Sequence, residues 1–130
     1  MKTRRHVILF QERFAPAVAR GTKPHTIRPR RKRRIRAGDT LDLRAWTGKP
    51  YRSKQRKLRE VTCTRVARFE LRRCRRTARV FFIVAGRSLY VDEMSLLAHR
   101  DGFVGLQEMI EWFERMHDLP FVGQLIEWEP

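Results

Sequence analysis

The chain has 130 residues and carries 30 Lys and Arg against 14 Asp and Glu, a formal net charge of +16 in 15.6 kDa. One domain over residues 1–130 with a single hydrophobic core is expected at this length, with no metal or disulfide staple required. A 42% apolar fraction with eight Phe and three Trp excludes a disordered basic tail, and no stretch nears the eighteen apolar residues of a membrane span.

Val7–Phe10 is a short apolar run suited to a buried strand, and because it ends after four residues it cannot serve as a secretory signal core. A cytoplasmic protein is expected. Phe14, Ala17 and Val18 follow at helical spacing, with Pro16 in the first turn and Gly21 at the stop. From Gly21 to Gly38 the chain is loop-like, apart from an extended Thr26-Ile27-Arg28. Thr40–Trp46 alternates, with Leu41, Leu43 and Ala45 on one face, which predicts a half-buried strand. Between Thr47 and Arg59, Gly48, Pro50 and six cations predict a mobile surface loop.

Glu60–Leu71 alternates again, placing Val61, Cys63, Ala67, Phe69 and Leu71 inward with Arg65 as the exception. Val80–Ala85 is continuously apolar, and Gly86-Arg87-Ser88 separates it from Leu89-Tyr90-Val91 as a hairpin. Two helices should follow, Met94–Arg100 closed by Gly102 and Leu106–His117, the second with Leu106, Met109, Ile110 and Phe113 facing the core and Glu108, Glu111 and Glu114 facing solvent. Leu125–Trp128 predicts a closing strand. So few helices cannot supply the crossovers of a doubly wound parallel sheet. The expectation is an α+β chain built on a small mixed, mostly antiparallel β-barrel with helices at its ends.

Charge is segregated along the chain: residues 1–91 hold 28 basic and 5 acidic side chains, and residues 92–130 hold 2 basic and 9 acidic. The densest run is Arg28, Arg30, Arg31, Lys32, Arg33, Arg34 and Arg36, and a second cluster surrounds Arg72–Arg79. Twenty-four of the thirty cations are Arg, whose planar fork pairs with phosphate oxygens and stacks on bases. So dense a block of like charge repels itself without a polyanionic partner. Membrane surfaces fit poorly, since Ile35 is the run's one apolar residue. Trp46 and Tyr51 flank a basic loop and are candidates for stacking on bases, although Trp46 could equally close a barrel end.

Cys63 and Cys74 match no zinc or redox spacing; the first reads as a buried small hydrophobe, and the second lies among arginines that would favour its thiolate if the sulfur is exposed. His6, His25, His99 and His117 are scattered, so no metal site is expected, and no cofactor motif is present.

Gly21-Thr22-Lys23-Pro24-His25-Thr26-Ile27-Arg28, followed by Gly38-Asp39-Thr40-Leu41, resembles the ASCH domain, a branch of the PUA-like superfamily of small β-barrels. Ala98-His99-Arg100-Asp101-Gly102-Phe103, Glu108-Met109, Trp112-Phe113 and Leu119-Pro120-Phe121 look like the ASCH proteins of phages and prophages. The resemblance implies a PUA-like barrel that binds RNA, with a cleft floored by the Lys and the Thr-Ile-Arg segment. Some bacterial ASCH proteins are amidohydrolases that remove the acyl group from acetylated cytidine with a Lys, a Thr and a Glu. Lys23 and Thr26 fall on the first two, and Asp101 stands nearest in position to the third.

Three functions follow as expectations. The first is an RNA- or nucleotide-binding module that grips the backbone with Arg30, Arg31, Lys32, Arg33, Arg34 and Arg36 and a base with Lys23, Thr26 and Arg28. RNA, single-stranded or structured, is preferred over duplex DNA because no helix is both basic and exposed. The second is an acetylcytidine-type amidohydrolase with Lys23, Thr26 and Asp101 as catalytic residues, which requires a depressed Lys pKa. The third is a metal-independent ribonuclease. Plainer roles stay open: Thr26 as a strand residue, Lys23 as a solvated cation, Arg28 as a barrel-mouth ion pair, Asp101 as a helix-terminal turn residue. The oligomeric state is left open, with a monomer favoured.

Overall fold

In the computed structural model, which describes residues 2–129, the alternating segments form one seven-stranded, mostly antiparallel sheet carrying three short helices. The strands are β1 (Arg5–Phe10), β2 (His25–Arg28), β3 (Thr40–Trp46), β4 (Gln55–Arg73), β5 (Val80–Val84), β6 (Arg87–Ser88) and β7 (Phe121–Trp128). The helices are α1 (Ala15–Arg20), α2 (Val91–Arg100) and α3 (Leu106–Met116). A 3-10 turn at Glu12–Phe14 leads into α1, whose Pro16 sits in the first turn and whose Gly21 closes it at φ 82°, a conformation glycine adopts without steric cost.

β1 pairs with β3 in parallel; every other pairing is antiparallel. β4 is the spine. Its first half pairs with β3, its second with β7, and Phe69–Arg73 also pairs with β5. Two irregularities, at Leu58 and Thr64, bend it; the second falls where the partner changes from β3 to β7. That bulge accounts for the Arg65 exception: its side chain leaves the core and stands 3.7 Å from Glu127 Oε2.

Among the described residues no ladder joins β1 to β2, so the sheet stays open along that seam. Side chains bridge it. Arg28 Nη2 donates to Leu9 O at 2.6 Å and Arg31 Nη2 to Val7 O at 3.1 Å, covering carbonyls that an edge strand would otherwise leave unpaired. The core lies between the sheet and the helices, with Ile8, Phe10, Leu41, Leu43, Phe69, Phe82, Met109, Phe113 and Ile126 almost wholly buried.

Three expectations need correction. The end of the expected loop between Thr47 and Arg59 is strand, because β4 starts at Gln55 and its Gln55–Arg59 run pairs with Leu43–Trp46 of β3. The hairpin turn is Ala85-Gly86, both at positive φ, and Leu89-Tyr90-Val91 is not a strand. α2 instead begins at Val91, where Glu93 accepts from Tyr90 N at 2.9 Å and caps the first turn. No helix among the described residues is long and apolar enough to cross a membrane.

Candidate functional site

A cavity of about 230 Å³ opens beside the β1–β2 seam, lined by Lys23, Thr26, Arg28, Asp101 and a ring of aromatic side chains. The polar residues arrive on three pieces of fold. Thr26 and Arg28 share a face of β2, Lys23 sits in the turn between α1 and β2, and Asp101 ends α2. Gly102, at φ 99°, lets the chain turn away behind Asp101, and a Cβ there would stand 3.0 Å from the Phe14 ring and 3.6 Å from Lys23 Cδ. Gly123 has a similar steric reason. A Cβ on it would overlap the Arg28 carbonyl oxygen and lie 2.7 Å from Phe121 Cζ, so β2 can approach β7 only over glycine.

The floor is ionic. Lys23, 3% exposed, donates from Nζ to Asp101 Oδ1 and to Asp101 O, both at 2.6 Å. Burial, opposed by Asp101 and reinforced by Arg28 and Arg13, lowers the Lys23 pKa below its ordinary value. Burial alone would raise the Asp101 carboxyl, but the Lys23 charge and His25 hold it below the usual carboxylate range. At 2.6 Å the two make a buried salt bridge. His25 Nε2 lies 3.3 Å from Asp101 Oδ1 but off the hydrogen-bond direction, and is buried without a hydrogen-bond partner. Arg28 Nε donates to Thr26 Oγ1 at 3.0 Å, and burial pushes the Arg28 pKa down to about 10. With its oxygen engaged, the Thr26 hydroxyl proton is free to be donated into the cavity.

The walls are aromatic. Phe14, Phe103 and Trp112 pack edge to face or tilted, with centroids 5.5–6.1 Å apart, and Phe10 stands beneath the Arg28 guanidinium at 4.9 Å. Lys23 Nζ is 5.1 Å from the Phe14 centroid, within cation–π range. Sequence reasoning placed Phe14, Trp112 and Phe113 in the core or the helices and did not assign them to a site. The available signal was the aromatic concentration just outside the Lys23–Arg28 and Asp101-Gly102 segments.

The other candidates lie elsewhere. Arg30, Lys32 and Arg33 are exposed and, among the described residues, have no acidic partner within ion-pair distance, while Arg31 is spent partly on Val7. Arg34 and Arg36 line a separate cavity of about 450 Å³ with Lys2, Arg4 and Asp39. Asp39 anchors that end of the basic loop, accepting from Arg4 N, Arg36 N and His6 Nε2 at 2.8–3.0 Å. Trp46 and Tyr51 do not line the cleft; they pack on each other at 5.1 Å. Cys63 is buried, and the half-buried Cys74 has its pKa lowered by hydrogen bonds from the Thr77 hydroxyl and from backbone N–H groups rather than by the arginines beside it. Among the described residues no group of His, Cys, Asp and Glu has the arrangement of a metal site.

Comparison of the chain with family models, with curated proteins and with solved structures finds no match.

Proposed function

We propose that the chain is an RNA-binding module of the ASCH type that takes a nucleotide into the cleft. The open sheet is read as a PUA-like barrel closed along one seam by Arg28 and Arg31 in place of a backbone ladder. The observation that carries the proposal is a cavity with aromatic walls over a floor of buried hydrogen-bonding groups. Aromatic faces give a base its stacking surface, and the Thr26 hydroxyl, the Lys23 ammonium and the outer Arg28 nitrogen supply donors for carbonyl oxygens and ring nitrogens. Asp101 Oδ2, with no donor among the described residues, supplies an acceptor for an exocyclic amine. Unpaired Arg30, Lys32 and Arg33 follow directly from Pro29 on the cavity rim, placing phosphate-binding charge beside the base. Free thiols at Cys63 and Cys74 accord with a cytoplasmic setting.

The test is calorimetric titration with cytidine 5′-monophosphate and a ten-residue oligocytidylate across a salt series. Oligonucleotide affinity should fall steeply with salt, and R30E/K32E/R33E should flatten that slope by roughly 2, at about 0.7 for each single-strand phosphate no longer neutralised. T26V should weaken nucleotide binding without changing the slope. A wild-type protein that binds neither ligand would end the proposal.

The depressed Lys23 pKa favours a second reading, amide hydrolysis of an acylated cytosine. Thr26 Oγ would attack the acyl carbonyl and pass its proton to neutral Lys23, with Arg28 holding the oxyanion; collapse would return that proton to the exocyclic nitrogen as cytidine leaves, and water would then hydrolyse the Thr26 ester to release the acid. Lys23 and Thr26 are not hydrogen-bonded to one another, and Lys23 spends two N–H groups on Asp101, so this reading requires the ion pair to open. Turnover of N4-acetylcytidine, abolished in both T26V and K23M, would establish it; no turnover leaves binding alone.

A further inference from the structure

We propose that the groove at the β4–β5 turn is a second subsite for the same single-stranded RNA, gripping the phosphates next to the nucleotide held in the cleft; this rests on the binding reading above. The groove, about 690 Å³, is lined by Arg72, Arg73, Arg75, Phe81 and His117 among others. His117 is also a wall of the aromatic cleft, so one side chain separates the two cavities. Its ring stands 6.0 Å from Trp112 and 4.7 Å from Phe121, continuing the cleft's aromatic surface to the groove edge. Burial lowers the His117 pKa, so at neutral pH it offers an uncharged face for stacking.

The charges in the groove are unequal. Arg72 is engaged by Glu70 at 2.7 Å and Arg73 by Glu114 at 2.8 Å, and Asp118 adds an acidic rim. Arg75, Arg76 and Arg79 have no acidic partner among the described residues. Arg79 lies over the ring of Phe81, which lines the groove, at 5.5 Å. Three uncompensated guanidiniums in one tight turn repel each other, and a phosphate chain relieves that repulsion. The cleft thus lies between two cationic segments, the Arg30–Arg36 run beyond Pro29 and the Arg72–Arg79 turn beyond His117. A mononucleotide in the cleft reaches neither far end. A strand of several nucleotides reaches both, and joining the two grips in one molecule multiplies affinity.

The test compares cytidine 5′-monophosphate with a ten-residue oligocytidylate on wild type and on R75E/R76E, with R20E/R100E as a variant of equal charge whose residues line neither cavity. For R75E/R76E the oligonucleotide affinity should fall at least tenfold at low salt and the slope of log affinity against log salt should shrink by roughly 1.4, while the mononucleotide binds as to wild type. R20E/R100E should weaken binding less than threefold. Intact binding of both ligands by R75E/R76E overturns the subsite and leaves the cleft reading standing. An equal loss in R20E/R100E also overturns it, because the effect is then the protein's overall field. If wild type binds neither ligand, the cleft reading fails and the subsite falls with it.

Discussion

Asp101 and Lys23 hold opposite charges at a few per cent exposure, and removing one partner strands the other in a medium that solvates it poorly. D101N should therefore cost about 3–5 kcal/mol, read as a lowered calorimetric melting temperature at pH 7. The sign of its pH dependence follows from the lowered Asp101 pKa: the pair's contribution is complete above the unfolded carboxyl value of about 3.9 and disappears as pH falls through the lower folded value. Wild type and D101N should converge in stability in acid; a constant difference down to pH 2 would show that the pair is not responsible. Lys23 has a dependence of the same sign in a more alkaline window. Its folded pKa lies below the unfolded value of about 10.4, so between the two the unfolded chain holds more protons and this group favours folding as pH rises. In the same window the cleft loses a cation, and mononucleotide affinity should decline as pH rises towards the unfolded value in wild type but not in K23M. A flat wild-type profile to pH 10 would remove Lys23 from ligand recognition. Lys23, Thr26, Arg28 and Asp101 could be singled out from sequence, but the bond between the first and the last could not, since 78 residues separate them. The burial of His25 was equally hidden: nothing in Pro24-His25-Thr26 distinguishes a ring packed against Asp101 from a solvated one.

The strands that carry these residues were legible where one face is wet. Alternation in Thr40–Trp46 and Glu60–Leu71 marks the period of two, and the α3 residues Met109, Ile110 and Phe113 mark the period of 3.6. It failed at Gln55–Arg59, where Leu58 is the one apolar residue and pairing with β3 makes the segment a strand. It failed also at Val91, since the start of α2 is set by the Glu93 cap and not by an apolar pattern. Gly123 gives the sharpest test at this scale. G123A must push β7 away from Arg28 and should cost about 2 kcal/mol as an overpacked site, whereas at Gly86, where a Cβ would meet nothing, only the backbone conformation is strained. G123A should also weaken mononucleotide binding while G86A does not; equal binding by both would separate the β2–β7 approach from the cleft.

Across the whole molecule the charge segregation seen in the sequence is only partly retained. Glu93, Glu108, Glu114 and Glu127 from the acidic third reach Arg87, Arg13, Arg73 and Arg65, while the Arg30–Arg34 loop, the Lys49–Arg56 stretch and the Arg75–Arg79 turn have no ion pair among the described residues. Exposed pairs of this kind contribute little each and are screened by salt, so raising salt from 50 to 500 mM should move the melting temperature far less than it moves oligonucleotide affinity. A parallel decline of both would mean that surface ion pairs hold the fold. The ladder β2 shares with β7 alone sets a further condition. Thr26 and Arg28 are made early, yet the strand that fixes them comes from residues 121–128, so a chain still on the ribosome carries every cation of the basic loop before it has a pocket. On the proposed reading, translation yields the cationic loop first, and a cleft able to accommodate a base arrives only when β7 docks.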